Sequence, residues 1–347
     1  MANIPHSRPS ISDKDVEEVS AVLKSGELAR GSKVALLESR VSSMHSMAGG
    51  VATSSGTSAL HIALLGLNVG QGDEVILPSY ICASVLDAIN YTGAKPVIVD
   101  IDETYNLSAQ SAQANISKST AAIVIAHMFG RPADISQFLD FDIPVIEDCA
   151  QAIGATYDGQ AVGSFGDMSM YSFGPTKVIT AGNGGMVLAK NPDYIDSMRR
   201  LIDNGNRNEY SLAYSTPFND VDAALGLSQL DKLPEFVERR REIARFYDEA
   251  LAEMGIAPIL SEGAIAFRYV IQTNQAEEAV PLFKERGIDA ELPIYKPLHR
   301  YFGRTAEFPN SEFAQNTAVS LPLYPALLDS EIVHIRDTIL DLRRNLK

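Results

Sequence analysis

Between residues 50 and 190 the chain alternates short apolar runs with turns and helical stretches. EVILPS (74–79), KPVIVDI (95–101), AAIVIAH (121–127) and IPVIEDC (143–149) are near-continuous apolar segments of strand length. Strands of that kind, separated by helical or loop segments, predict a parallel sheet covered on both faces. MSMYSF (168–173) and GGMVLAK (184–190) follow each other more closely and predict an antiparallel pair. Upstream, Ser12 caps a helix that runs through Leu23 and stops at Gly26. Asp15 closes a capping box there, and Ile11 and Val16 occupy hydrophobic-staple positions.

Residues 236–254, FVERRREIARFYDEALAEM, read as one long helix charged on one side. Beyond it lie a strand-like FRYVIQT, a helix near 277–286, a strand-like IDAELPIY and a closing helix over 329–345. The pattern predicts a large α/β domain, 1–235, and a smaller α+β domain, 236–347, that begins with the long helix. A chain of 347 residues suits two domains or one large one.

Composition narrows the class. Hydrophobic residues make up 46% and charged residues 21%, as in ordinary globular proteins. No apolar run approaches the length of a membrane span, and MANIPHSRPS lacks the apolar core of a signal peptide. Lys plus Arg number 29 against 44 Asp plus Glu, for a net charge of −15. That field disfavours nucleic acid and anionic membranes as partners, and an anionic substrate would need a locally positive pocket. Cys82 and Cys149 form neither a disulfide framework nor a metal-ligand spacing. A reducing cytoplasm is the simplest location, no metal is expected, and the sequons at Asn106 and Asn115 are incidental.

Three polar elements fall at the carboxyl ends of expected strands, where open parallel sheets bind ligands. In SSGTSALHIALLGL (54–67) a Ser/Gly/Thr turn leads into an apolar helix. The ordinary use of such a turn is a helix cap, but its free N–H groups also suit a phosphate. In VIEDCAQA (145–152), Glu147 and Asp148 end an apolar run, and Gln151 follows three residues later. A carboxylate buried there needs a cation or hydrogen-bond donors to stay ionised; a structural ion pair is the plainer alternative. In SFGPTKVITAGNGG (172–185), Lys177 stands among small and apolar residues. A surface loop is the usual place for a lysine, yet in a weakly polar pocket its pKa falls and its amine becomes nucleophilic. Together a phosphate cradle, a carboxylate and such a lysine are the parts a pyridoxal phosphate enzyme needs: the lysine binds the aldehyde, and the carboxylate keeps the pyridine nitrogen protonated.

The same segments carry a resemblance. IPHSRPSISDKDVEEVSAVLKSGELARG, SSGTSALHIALLGLNVGQGDEVILPSY, HMFGRPADI, VIEDCAQAIGATYDG, GSFGDMSMYSFGPTKVITAGNGGMV and NDVDAALGLSQLDKLPEFVERRREIARFYDEAL are joined by PLH (297–299) and SLPLYPALLDSEI (320–332). In order and spacing the chain resembles the DegT/DnrJ/EryC1/StrS sugar aminotransferases over nearly its full length. The resemblance implies the fold-type-I architecture of aspartate aminotransferase, with a mostly parallel seven-stranded sheet and a smaller C-terminal α+β domain. It also implies a homodimer with shared active sites. Lys177 resembles the lysine that holds the cofactor and moves the proton, and Asp148 the partner of the pyridine nitrogen. Gln151 resembles the glutamine near the ring hydroxyl, and Gly56, Thr57, Ser58 and Ser172 the phosphate-binding set. The implied reaction moves an amino group from an amino acid, usually L-glutamate, to a keto group of a nucleotide-linked deoxysugar.

Three positions depart from the family pattern. Cys82 stands where many members place a Phe or Trp that stacks on the cofactor, so binding rests on other contacts or on a shifted Tyr80. Ser215 stands where an asparagine reaches the neighbouring subunit's phosphate, and Pro217 replaces an arginine. GNGG replaces the common GEGG, where the glycines carry the backbone geometry. Lys177 and the two cysteines count against the histidine-bearing dehydrase branch and against an iron–sulfur cluster. A branch that aminates cyclitols or other non-nucleotide ketones is the alternative, and a non-catalytic regulatory protein on the same scaffold a further one. No nucleophile elbow, HExxH helix or Walker loop is present. His127 reads as a satisfied core or pocket-wall histidine, and His299 as a residue of the substrate entrance.

Overall fold

The computed structural model describes residues 3–203, 205 and 209–342. The expected end of the closing helix, 343–345, lies outside the described residues. The strands are β1 (Gly49–Thr53), β2 (Glu74–Pro78), β3 (Lys95–Val99), β4 (Thr120–Ala126), β5 (Val145–Asp148), β6 (Thr156–Tyr157), β7 (Gln160–Ala161), β8 (Met168–Ser172), β9 (Gly185–Ala189), β10 (Tyr269–Gln272) and β11 (Ala318–Leu321). Seven of them form the central sheet in the order β1-β9-β8-β5-β4-β2-β3. Neighbours from β8 to β3 pair parallel. β9 runs against the rest, pairing antiparallel with β8 and with β1.

The near-continuous apolar runs are explained by burial on both faces. Along β2, Val75 and Leu77 enter one core cluster and Ile76 the other; along β4, Val124 enters the first and Ile123 and Ile125 the second. A pleated strand sends alternate side chains to opposite faces, so a sheet with helices on both sides demands apolar residues at every position. No helix among the described residues is long and apolar enough to cross a membrane.

The opening helix, Asp13–Ser25, ends at Gly26 in the left-handed region, φ 77°. The Asp15 carboxylate accepts from the Ser12 N–H at 2.7 Å and from its Oγ at 3.0 Å. It is also bonded by Lys232 at 2.5 Å and Gln229 at 3.1 Å, which ties this helix to the end of Asp220–Asp231. Ile11 and Val16 are both exposed, so the staple expected there buries little.

The C-terminal part has its own core, around Tyr247, Tyr269, Phe283 and Ile335, which Ile4 joins from the N-terminus. Its long helix spans Leu233–Glu253, three residues earlier than its sequence suggested, with a proline in the first turn. β10 arises within FRYVIQT and pairs antiparallel with β11. IDAELPIY forms no strand, only bridges from Ile288 to Ile4 and from Glu291 to Ser320. Pro293 has no N–H to offer a ladder there, and β11 takes the place beside β10.

Candidate active site

The carboxyl ends of β5 and β8 and the N-terminus of helix Gly56–Gly66 enclose a cavity of about 220 Å3. Gly56, Thr57, Cys82, Asp148, Gln151, Ser172 and Lys177 all line it. Residues 54–57, 148–151 and 172–177 come together because each follows a strand that leaves the sheet at the same edge, the edge at which such sheets bind ligands.

The neighbours Glu147 and Asp148 have different fates. Glu147 is fully buried and its oxygens accept from the N–H groups of Gly163 (2.7 Å), Phe165 (2.8 Å) and Gly166 (2.7 Å) and from His127 Nε2 (2.9 Å). Burial pushes its pKa up, but His127 and the backbone N–H groups of Gly166 and Gly163 more than offset it and hold it below the usual range. Asp148 closes β5 on the opposite face. Burial pushes its carboxyl above the usual range, against the Ala150 N–H (2.9 Å) and the fields of Lys177 and His127. Glu147 is thus a satisfied structural anion, whereas Asp148 has room for a further cation in the cavity.

Lys177 is reached by a turn after β8, its backbone N–H bonded to the Gly174 carbonyl at 3.1 Å. Burial lowers the pKa of its ammonium, and the Asp148 charge only partly opposes this. The segment returns to the sheet through Gly184 and Gly185, and Ser55 bridges to Gly184. A Cβ on Gly185 would lie 2.4 Å from the Ser55 carbonyl oxygen, so only glycine lets these two backbones touch.

Ser55 caps helix Gly56–Gly66 by accepting the Ser58 N–H at 3.1 Å. The Gly56 and Thr57 N–H groups have no helical carbonyl to serve them, and they open on the cavity. A Cβ on Gly56 would come within 2.9 Å of Ser172 Cβ and 3.2 Å of its Oγ, filling that corner. Ser58 itself does not line the cavity; its N–H and Oγ are both engaged with Ser55. The cap takes the group that sequence had assigned to phosphate.

On the opposite wall, Gln151 Oε1 accepts the Phe129 N–H at 2.9 Å and stabilises a left-handed residue, φ 60°. His127 is buried and also lines the cavity. Its Nδ1 accepts the Ala133 N–H at 3.0 Å, which leaves the Nε2 proton for Glu147. Asn183, in GNGG, lines the cavity as well, although sequence gave weight only to its glycine neighbours.

Ser215, expected at the neighbouring subunit's phosphate, lines a separate cavity of about 850 Å3 beside Arg30, Arg199 and Pro217. Two expectations change. Tyr80 is fully buried in the core, so it cannot shift in to replace the ring absent at Cys82. His299 is fully buried too, bonded to Ser79 Oγ (2.6 Å) and Glu312 Oε1 (2.6 Å), and it fastens 297–299 to the loop after β2 instead of lining an entrance.

An incompletely compensated buried carboxylate, a half-buried amine of lowered pKa and a helix N-terminus beside a corner that a Cβ would fill match pyridoxal phosphate at its pyridine nitrogen, aldehyde and phosphate. Fold and site together define a pyridoxal-phosphate-dependent aminotransferase of the fold-type-I class. The chain belongs to the DegT/DnrJ/EryC1/StrS aminotransferase family, whose model matches residues 9–340. It is 31% identical to the GDP-perosamine synthase of Escherichia coli O157:H7, with 98% of each chain covered. It is 32% identical to the UDP-N-acetyl-3-dehydro-alpha-D-glucosamine 3-aminotransferase of Acidithiobacillus ferrooxidans, over 94% of this chain and 93% of that one. The structure of Spr1654 from Streptococcus pneumoniae in its PLP form matches with a TM-score of 0.91 at 27% identity and covers 99% of each chain.

Proposed function

We propose that this aminotransferase carries an amino group from L-glutamate to a keto group of a nucleotide-linked deoxysugar, acting as a homodimer. The observation that carries the reading is the meeting of Lys177, Asp148 and the N-terminus of helix Gly56–Gly66 in one cavity. Relatives whose names specify a GDP-sugar and a UDP-sugar support the acceptor class.

Pyridoxal phosphate, when bound, supplies an electron sink for the carbon that gains or loses the amine. Asp148 holds the proton on the pyridine nitrogen, and the anion is favoured because it gains a cationic partner. Gly56, Thr57 and Ser172 bind the phosphate through N–H and hydroxyl groups, while Gln151 and His127 wall the ring. Lys177 Nζ is the amine that would hold the cofactor's aldehyde end, and burial lowers its pKa, so that as a neutral amine it could also serve as the base for the proton on the donor's α-carbon.

Ser215, outside its own subunit's cofactor cavity, is assigned to the neighbouring subunit's phosphate. Residues 1–235 and 236–347 act as the two domains, with the N-terminal segment crossing to the second through Ile4. The free thiols Cys82 and Cys149 fit a reducing cytoplasm.

The test is a product assay with holoenzyme, L-glutamate and a panel of GDP-, UDP- and dTDP-linked keto-deoxysugars, set against unlinked keto-cyclitols. The expected result is an amino nucleotide sugar formed in step with 2-oxoglutarate. Amination confined to the unlinked ketones would overturn the acceptor assignment.

A further inference from the structure

Among the described residues, three that are not glycine hold a left-handed backbone around one small cavity: Tyr105 (φ 67°), Phe129 (φ 60°) and Ala266 (φ 49°). A residue with a Cβ rarely adopts that conformation, and its surroundings must hold it there. Tyr105 and Phe129 follow β3 and β4, whereas Ala266 belongs to the C-terminal part. The Tyr105 and Phe129 rings meet edge to face, their centroids 5.3 Å apart.

The segment 265–267 is where two cores meet. Ile265 and Phe267 enter the core beneath the sheet, and Ala266 enters the C-terminal core. The backbone of 129–130 clasps this segment. The Phe129 carbonyl accepts the Phe267 N–H at 2.9 Å, and the Gly130 carbonyl accepts the Ile265 N–H at 3.0 Å. Gly130, at φ 79°, lies so close that a Cβ would fall 2.7 Å from Ile265 Cγ1 and 2.9 Å from the Phe267 nitrogen. The Phe267 ring in turn stands 5.8 Å from Lys177 Nζ.

The turn at Phe129 is set from the cofactor cavity. Its N–H donates to Gln151 Oε1 at 2.9 Å, which fixes the amide and turns its NH2 group away from Phe129. Gln151 lines the cofactor cavity, and among the described residues its Nε2 donates to none. An oxygen on a bound ring would engage that NH2 group, so that Gln151 is held at both ends instead of one. The constraint then passes through the Phe129 peptide to the two carbonyls that receive the segment. We propose that Phe129 is a positioning residue, whose left-handed backbone links Gln151 to residues 265–267, so that loading the cavity fixes the wall beside Lys177. The inference rests on the placement of Gln151 beside the ring given above.

Backbone hydrogen exchange at Ile265 and Phe267 is followed by mass spectrometry, in apo protein and in protein saturated with pyridoxal phosphate. In wild type, loading is expected to slow exchange there by about 3- to 10-fold. Gln151→Glu keeps an acceptor for the Phe129 N–H but has no NH2 group for the ring. Its apo exchange is expected to be no faster than in wild type, and loading to leave it unchanged. Gln151→Ala, which loses both contacts, exchanges faster in either state. Equal slowing in wild type and Gln151→Glu overturns the proposal, as does wild type that shows no slowing. Cofactor affinity, read from the visible absorbance of the same samples, locates such a failure. If affinity is also unaltered in Gln151→Glu, the placement of Gln151 beside the ring falls too. If affinity has dropped while the slowing persists, that placement stands and the link through Phe129 is lost.

Discussion

Asp148 and Lys177 face one cavity and each favours the charge of the other, yet burial outweighs that attraction at both. The Asp148 carboxyl sits above its usual pKa and the Lys177 ammonium below. A pair left in that condition is poised for a third group that brings a cation to one and an electrophile to the other.

Removing the charge at Asp148 tests the first half of that relationship. Asp148→Asn keeps the shape but cannot hold a protonated ring nitrogen, so cofactor affinity is expected to fall by about 10- to 100-fold. Equilibrium titration with pyridoxal phosphate measures it, and thermal unfolding of the apo variant should show no loss, because the substitution removes an uncompensated charge.

Glu147, its neighbour, should behave in the opposite way. Its folded pKa is depressed, so its contribution to stability is present above the ordinary carboxylate pKa and is lost as pH falls through the folded value. Glu147→Gln breaks a buried set of bonds to His127, Gly163, Phe165 and Gly166, with an expected cost of about 3–5 kcal/mol at neutral pH. Denaturant unfolding across pH should also show a flatter acid limb in the variant.

Cys82 lines the cavity but offers no ring. Cys82→Phe is expected to raise cofactor affinity by about 2- to 10-fold through stacking. The titration used for Asp148→Asn reads the change directly.

Much of this was legible in the sequence because it is local. Strands buried on both faces are written as unbroken apolar runs, and the order of strand ends places Gly56, Asp148, Ser172 and Lys177 at one edge. Contacts between distant segments left weaker traces. Ser58 reads as a phosphate ligand until the cap geometry engages its N–H and Oγ with Ser55. IDAELPIY has the period of a strand but loses the competition for β10 to residues 318–321. Tyr80 and His299 are polar residues whose burial is decided by the C-terminal segment folding back over the loop after β2.

The most direct measurement is the absorbance of the purified protein as pyridoxal phosphate and then L-glutamate are added, for wild type and Lys177→Ala side by side. Wild type is expected to develop a visible band that shifts when L-glutamate is added. Lys177→Ala should lack that band, and any conversion should be slower by about 100- to 10,000-fold. The same band and the same shift in Lys177→Ala would contradict the assignment of Lys177 as the amine that holds the cofactor and moves the proton.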